Sequence, residues 1–307
     1  IDFFTTKFSE LKNHDFYIAG ESYGGIYVPT LAVLVANDKS NFPNFKGIAL
    51  GNAHLSSRLN YNTLPSFLYN HGVVRQGLYD LVANQCCGGN PYTCDYYSLN
   101  GSCADLDVRS ALYIPKNVSS WSECNMQLNM YEYQTLYDDM SSHIKILVQK
   151  GIKVLIYNGD ADSVENFVMA ERFINQLGLS IDGPNITNSQ VWYYNGSYQD
   201  NIYCDVGVAQ LCTNKTNVAG FYTKYKGLDL ITVRGAGHEV PKDRPREALQ
   251  LIYNFINGID YSTPVPFSTQ PQPLIEPTSG SSSDLQPSSR VNTILVMSIM
   301  IIGFMQQ

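Results

Sequence analysis

The chain has 307 residues, 44% of them hydrophobic, which is enough to bury one substantial α/β core. Its net charge of −7, with acids and bases scattered and no basic stripe, leaves no electrostatic footprint for a phosphate backbone and argues against nucleic acid as a partner. Twenty-two tyrosines and the absence of a repeat period point to a folded, non-repetitive domain.

The first predicted element is a short strand, Phe16 to Ala19, running directly into Gly20-Glu21-Ser22-Tyr23-Gly24. Strand, Gly-x-Ser-x-Gly, then helix is the nucleophile elbow of α/β-hydrolases, in which the two glycines let the backbone turn sharply and hold the serine hydroxyl out. A helix over Gly24 to Asn37 and a strand over Phe45 to Leu50 follow, closing a first core segment at residues 1–52. Residues 53–124 form a Cys- and Tyr-rich excursion of weak periodicity that reads as an inserted cap. A second core segment, 125–259, opens with an amphipathic helix over Met130 to Gln149 and the apolar strand Ile152 to Tyr157. That strand exits into Asn158-Gly159-Asp160-Ala161-Asp162, and a helix over Asn166 to Leu177 comes next.

A polar insertion spans Asp182 to Ala219. The strand Leu228 to Val233 then leads into Gly235-Ala236-Gly237-His238-Glu239-Val240-Pro241. The closing helix, Arg244 to Asn257, carries apolar residues at Leu249, Ile252, Tyr253 and Ile256 for packing on a sheet. Beyond Ile259 the composition turns to Pro, Ser, Thr and Gln, an unstructured linker over 260–290, before an apolar tail at 291–307. The expected fold is an α/β-hydrolase: a central, mostly parallel sheet flanked by helices, with a cap inserted.

Ser22, Asp162 and His238 occur in that order, each at the exit of a predicted strand, which is the α/β-hydrolase order. A serine hydroxyl needs an imidazole to take its proton, and the imidazole needs a carboxylate to fix its tautomer. Asp162 is preferred to Asp160 as that carboxylate, because Asp160 lies nearer the strand end and fits a turn. His14, His54, His71 and His143 lack Gly-flanked strand exits and are assigned surface or structural roles. Seven cysteines, Cys86, Cys87, Cys94, Cys103, Cys124, Cys204 and Cys212, accompany five sequons, at Asn100, Asn117, Asn185, Asn195 and Asn214. Both signals favour the secretory pathway, with lysosomal, extracellular or cell-surface destinations open. No Cys or His cluster has metal-site spacing, so neither metal nor cofactor is expected.

Five segments, Tyr17 to Pro29, Gly47 to Asn52, Val108 to Pro115, Val154 to Asp162 and Arg234 to Pro241, resemble the serine carboxypeptidase family, which includes cathepsin A and carboxypeptidase Y. The resemblance implies a peptidase that removes residues from peptide and protein C-termini at acidic pH through an acyl-enzyme. Tyr23 would supply an oxyanion N–H. Glu21 would grip the terminal carboxylate in its protonated form, and Glu239, where many members carry methionine, would favour departing Lys or Arg. The family has a precedent for a Cys87–Cys94 bridge; Cys86–Cys103 and Cys204–Cys212 complete the expected pairing, with a lost partner for Cys103 the alternative.

In the family, Cys124 pairs with a cysteine beside an early Gly-Gly-Pro-Gly loop that also carries the second oxyanion donor, and this sequence has no such loop. The expectation is therefore a chain lacking the amino-terminal part of the sheet. Two alternatives stand beside hydrolysis: acyl transfer by the same triad, and an inactive or protective binding role. The tail reads as a GPI-attachment signal, a short membrane anchor or a gene-model artefact, and oligomer formation is left open.

Overall fold

The computed structural model describes residues 6–90, 94–95, 136–183, 189–195, 216–267 and 295–298. Seven strands form one sheet: β1 (Phe16–Glu21), β2 (Phe45–Gly51), β3 (Lys153–Gly159), β4 (Gln190–Asn195), β5 (Thr216–Tyr225), β6 (Leu228–Val233) and β7 (Leu295–Ser298). Their order across the sheet is β4-β5-β6-β3-β2-β1-β7. The centre is parallel, β1 with β2, β2 with β3 and β3 with β6, and β7 lies parallel to β1. β4 and β5 add an antiparallel edge.

The central strands are apolar runs because both faces are covered. Alternate side chains divide between two cores. Phe16, Ile18, Ile48, Leu50, Val154 and Ile156 face one side, where α1 (Gly24–Asn37), α4 (Ser141–Gln149) and α5 (Phe167–Leu177) pack. Tyr17, Ala49, Leu155, Tyr157, Ile231 and Val233 face the other, against α7 (Pro245–Asn257). α6 is the short turn Val240–Asp243 after the His238 loop.

Several expectations are corrected. Among the described residues, the excursion after β2 contains two helices, α2 (Ser57–Asn70) and α3 (Gln76–Cys86). Pro65 and a run of Asn and Tyr within α2 hide its helical period. The helix expected from Met130 starts at Ser141, where Asp139 Oδ1 accepts from the Ser141 N–H; residues 130–135 lie outside the described set. The insertion after α5 supplies β4 and the start of β5. On α7, Leu249 is 41% exposed, and Ala248, Leu251 and Phe255 form the buried stripe beside two buried amides, Gln250 and Asn254.

Those amides hold the chain that follows. Asn254 Nδ2 donates to the carbonyls of Asp260, Tyr261 and Thr263, and Gln250 Nε2 donates to those of Tyr193 and Tyr261. Tyr261 is 1% exposed and its hydroxyl donates to Asp229, so ordered structure continues past Ile259. Cys87 and Cys94 form a disulfide. Cys103, Cys124, Cys204 and Cys212, the Cys86 side chain, and the sequons at Asn100, Asn117, Asn185 and Asn214 lie outside the described residues, whereas Asn195 ends β4. Among the described residues, no helix is long and apolar enough to cross a membrane.

Candidate active site

Four parallel strands release their chains at one edge of the sheet, the carboxyl edge where open α/β sheets build sites. The exits are stitched together by backbone hydrogen bonds. Ser22 N–H donates to Gly51 O at 3.0 Å, and His54 N–H to Ser22 O at 2.8 Å. Asn52 N–H reaches Tyr157 O at 2.9 Å, and Ala161 N–H reaches Ala236 O at 3.0 Å. The loops after β1, β2, β3 and β6 therefore form one surface carrying Ser22, Asn52, Asp162 and His238.

Ser22 itself takes the left-handed backbone, φ 58°. A non-glycine residue there is strained, and such strain concentrates where a side chain must be presented. The flanking glycines do not adopt positive φ. Gly20 instead provides space, since a Cβ would meet Val28 Cγ2 at 2.7 Å, whereas one at Gly24 would meet open space. Gly25 is tighter than either, since a Cβ there would lie 2.4 Å from His54 O. Tyr23 is the N-cap residue of α1, so its N–H sits at the helix's positive end.

His238 Nδ1 lies 2.8 Å from Asp162 Oδ2. Asp162, 3% exposed, also accepts from Asn52 Nδ2 at 2.6 Å and from the N–H groups of Val164 and Glu165 at 2.8 and 3.2 Å. Burial alone would raise the Asp162 pKa, but the His238 bond and charge, with the two backbone donors, bring it below the usual carboxylate value. The same bond raises His238 against an opposing desolvation, helped by the charges of Asp162, Glu21 and Glu165. Asp160 is used differently: its Oδ1 accepts from Gly235 N–H at 2.6 Å and so fixes the turn that starts the histidine loop. Among the described residues no hydrogen bond joins the Ser22 hydroxyl to His238, a contact that in unliganded enzymes often tightens only when substrate binds.

Glu21, half-buried beside Ser22, has its pKa raised first by burial, with Glu239, Asp162 and Asp243 adding and His238 opposing. Glu239 is exposed, and its carboxylate is occupied by Lys242 Nζ at 2.5 Å. His54, assigned a surface or structural role, lies half-buried within the site. Its Nδ1 lies 2.6 Å from Glu165 Oε1 and its Nε2 3.0 Å from Ser57 Oγ, while its ring stacks on Tyr23 at a 6.0 Å centroid distance. Both it and Asn52 sit just past a strand end, the one local signal that could have marked them. No group of three or more His, Cys, Asp or Glu suited to a metal ion occurs among the described residues.

Sheet order, elbow and carboxylate–imidazole pair define an α/β-hydrolase. The serine carboxypeptidase family model matches residues 1–106 and 88–258. Serine carboxypeptidase ctsa-4.1 of Caenorhabditis elegans is 35% identical over 335 aligned residues, covering 85% of this chain and 68% of its own. The lysosomal protective protein of Mus musculus is 28% identical, with the same two coverages, 85% and 68%. Among solved structures, the prohormone-processing carboxypeptidase Kex1(delta)p of Saccharomyces cerevisiae aligns with a TM-score of 0.55 at 14% identity, over 83% of this chain and 64% of that one. The chain belongs to the serine carboxypeptidase family, a family of peptidases, and spans about two thirds of the length of these relatives.

Proposed function

We propose that this chain carries the hydrolytic centre of an acid-active serine carboxypeptidase, with Ser22 as nucleophile, His238 as base and acid, and Asp162 as the group that orients His238. The observation carrying this reading is the 2.8 Å Asp162–His238 pair, on the same sheet edge as a serine held at φ 58°. Ser22 Oγ attacks the last peptide carbonyl and passes its proton to His238 Nε2, because Nδ1 is engaged by Asp162. The tetrahedral oxyanion takes the N–H of Tyr23 at the start of α1. Collapse expels the terminal amino acid, whose nitrogen receives the proton from His238. Water then attacks the Ser22 ester with His238 again as base, releasing the shortened peptide.

Acid pH suits the site's charge. Glu239, Asp162 and Asp243 act on Glu21 here, Asp162 acts on Glu165, and a substrate's terminal carboxylate would be repelled if Glu21 were ionised. Burial keeps Glu21 protonated above the ordinary carboxylate pKa, so it can donate to that carboxylate. Protonating Glu21 also removes one of the charges that raise His238, making the base more available. Family membership, the disulfide and the similarity to a mouse lysosomal protein support passage through the secretory pathway, with peptide C-termini as partners.

A fluorophosphonate probe tests the centre directly. Ser22 should be labelled, and His238→Ala should slow labelling by about 10³-fold or more. Failure to label Ser22 in folded protein would refute the assignment. Mass spectrometry of a peptide incubated with the protein should show sequential loss of C-terminal residues, blocked by amidation of the peptide's C-terminus.

A further inference from the structure

Behind the Asp162–His238 pair stands a second carboxylate–imidazole pair that the mechanism above does not use. Glu165 is buried, 6% exposed; Oε1 meets His54 Nδ1, while Oε2 is buried without a hydrogen-bond partner. A carboxylate so placed relies on His54 for compensation of its charge. The pair is joined to both halves of the site. Glu165 N–H donates to Asp162 Oδ2, and Asn52 Nδ2 spans Asp162 Oδ2 at 2.6 Å and Glu165 O at 3.5 Å. On the other side, His54 N–H holds the Ser22 carbonyl and its ring lies on Tyr23.

We propose that His54 and Glu165 are positioning residues: their ion pair braces the nucleophile elbow against the Asp162 loop, and its protonation state sets how basic His238 is. This deepens the serine carboxypeptidase reading and rests on it. With one proton on the pair, His54 is cationic, Glu165 anionic and their net charge zero. As pH rises and His54 loses that proton, the buried Glu165 charge stands uncompensated, and His238 holds its own proton more firmly. While the local charge is balanced His238 is least basic, so its free-base form persists to lower pH than it would beside an uncompensated Glu165.

The groups that bear on this equilibrium come from every neighbouring element. His54 faces Glu165 and, from the segment before α4, Asp138, with Ser57 of α2 and Tyr23 of α1 as uncharged neighbours. Glu165 faces His54, His238 and Asp162. His238 faces Asp162, Glu21 and Glu165. The directions agree: desolvation lowers His54, but the Glu165 bond and charge raise it overall, and burial raises Glu165 against the pull of His54.

Two measurements test this. In the unliganded protein, NMR titration of the histidine rings should place His54 above the ordinary value of about 6.5. The His238 signal should show a second inflection where His54 titrates, absent in Glu165→Gln. In the second measurement, the rate of probe labelling at Ser22 is followed against pH. Glu165→Gln should move its rising limb to lower pH, so that labelling on the limb is about three- to tenfold faster than wild type. Glu165→Asp, which keeps the charge, should leave the limb near its wild-type position. A His54 titrating at or below 6.5 with a single His238 inflection would overturn the proposal, as would a Glu165→Gln profile merely scaled down at every pH. If wild-type Ser22 were not labelled at all, the catalytic reading would fall while the ring titrations still judged the pair. If Glu165→Gln did not fold, the wild-type titrations would decide alone.

Discussion

Gly159, the last residue of β3, packs directly against the backbone of the histidine loop. A Cβ there would lie 2.2 Å from Gly237 O and 2.4 Å from Ala236 O. Carbon–oxygen contacts need more than 3 Å, so Gly159→Ala must drive the loops apart by about 1 Å. The backbone bond between Ala161 and Ala236, which sets the register of the two loops, lies in the path of that movement. A misplacement of this size costs about 10²-fold in turnover, or roughly 2.7 kcal/mol of barrier. Overpacking adds a stability loss of about 1–3 kcal/mol, a fall of several degrees in Tm. The assay is kcat/KM on a blocked dipeptide, with melting followed by circular dichroism. Gly77→Ala in α3, where a Cβ meets nothing within 4 Å, serves as control and should leave kcat/KM unchanged. A folded Gly159→Ala protein working within twofold of wild type would refute the claim that loop separation governs the Asp162–His238 geometry.

Glu21→Gln keeps a neutral donor at every pH, so the rise in KM expected as wild-type Glu21 ionises with increasing pH should disappear. Removing that charge also lowers His238, so the acid limb of kcat/KM should move to lower pH, and an unchanged pH profile would count against both roles. Lys242 occupies Glu239 in an exposed pair, so Lys242→Met should raise the preference for C-terminal Arg over Leu severalfold and Glu239→Gln should abolish it; a constant Arg/Leu ratio in both variants would remove Glu239 from the specificity pocket. Asp162→Asn should lose about 1–3 kcal/mol of stability, read as Tm against pH. Asp162 is depressed, so its contribution is lost as pH falls through its folded pKa. His238 is raised, so its contribution is lost as pH rises through its own. The gap between wild type and variant should therefore be widest between about pH 4 and 6.5 and close on either side.

The central sheet was legible because strands covered on both faces leave unbroken apolar runs, and β1, β2, β3 and β6 fall within a residue or two of the expected spans. The antiparallel edge was not. β5 is interrupted by Asn217, Thr223 and Lys224, its pairing with β4 shifts register at Trp192/Tyr193, and both strands border a sequon-rich stretch. The buried stripe of α7 was misjudged at Leu249 because Gln250 and Asn254 are buried by bonding to carbonyls of the following segment, a burial that hydropathy does not signal. At the site, Ser22, Asp162 and His238 stood out because glycines and strand ends flank them. His54, Asn52 and Glu165 did not, since their meaning arises only where the exits of β2 and β3 lie side by side across the sheet.

The amide clamp from Asn254 and Gln250 onto residues 260–263 has a mechanical consequence. Tension on the chain where it leaves α7 bears on four hydrogen bonds to residues 260–263 and on Tyr261 wedged against the sheet. Load entering from that side is spread into α7, β4 and β6 before it can reach the turn bearing His238.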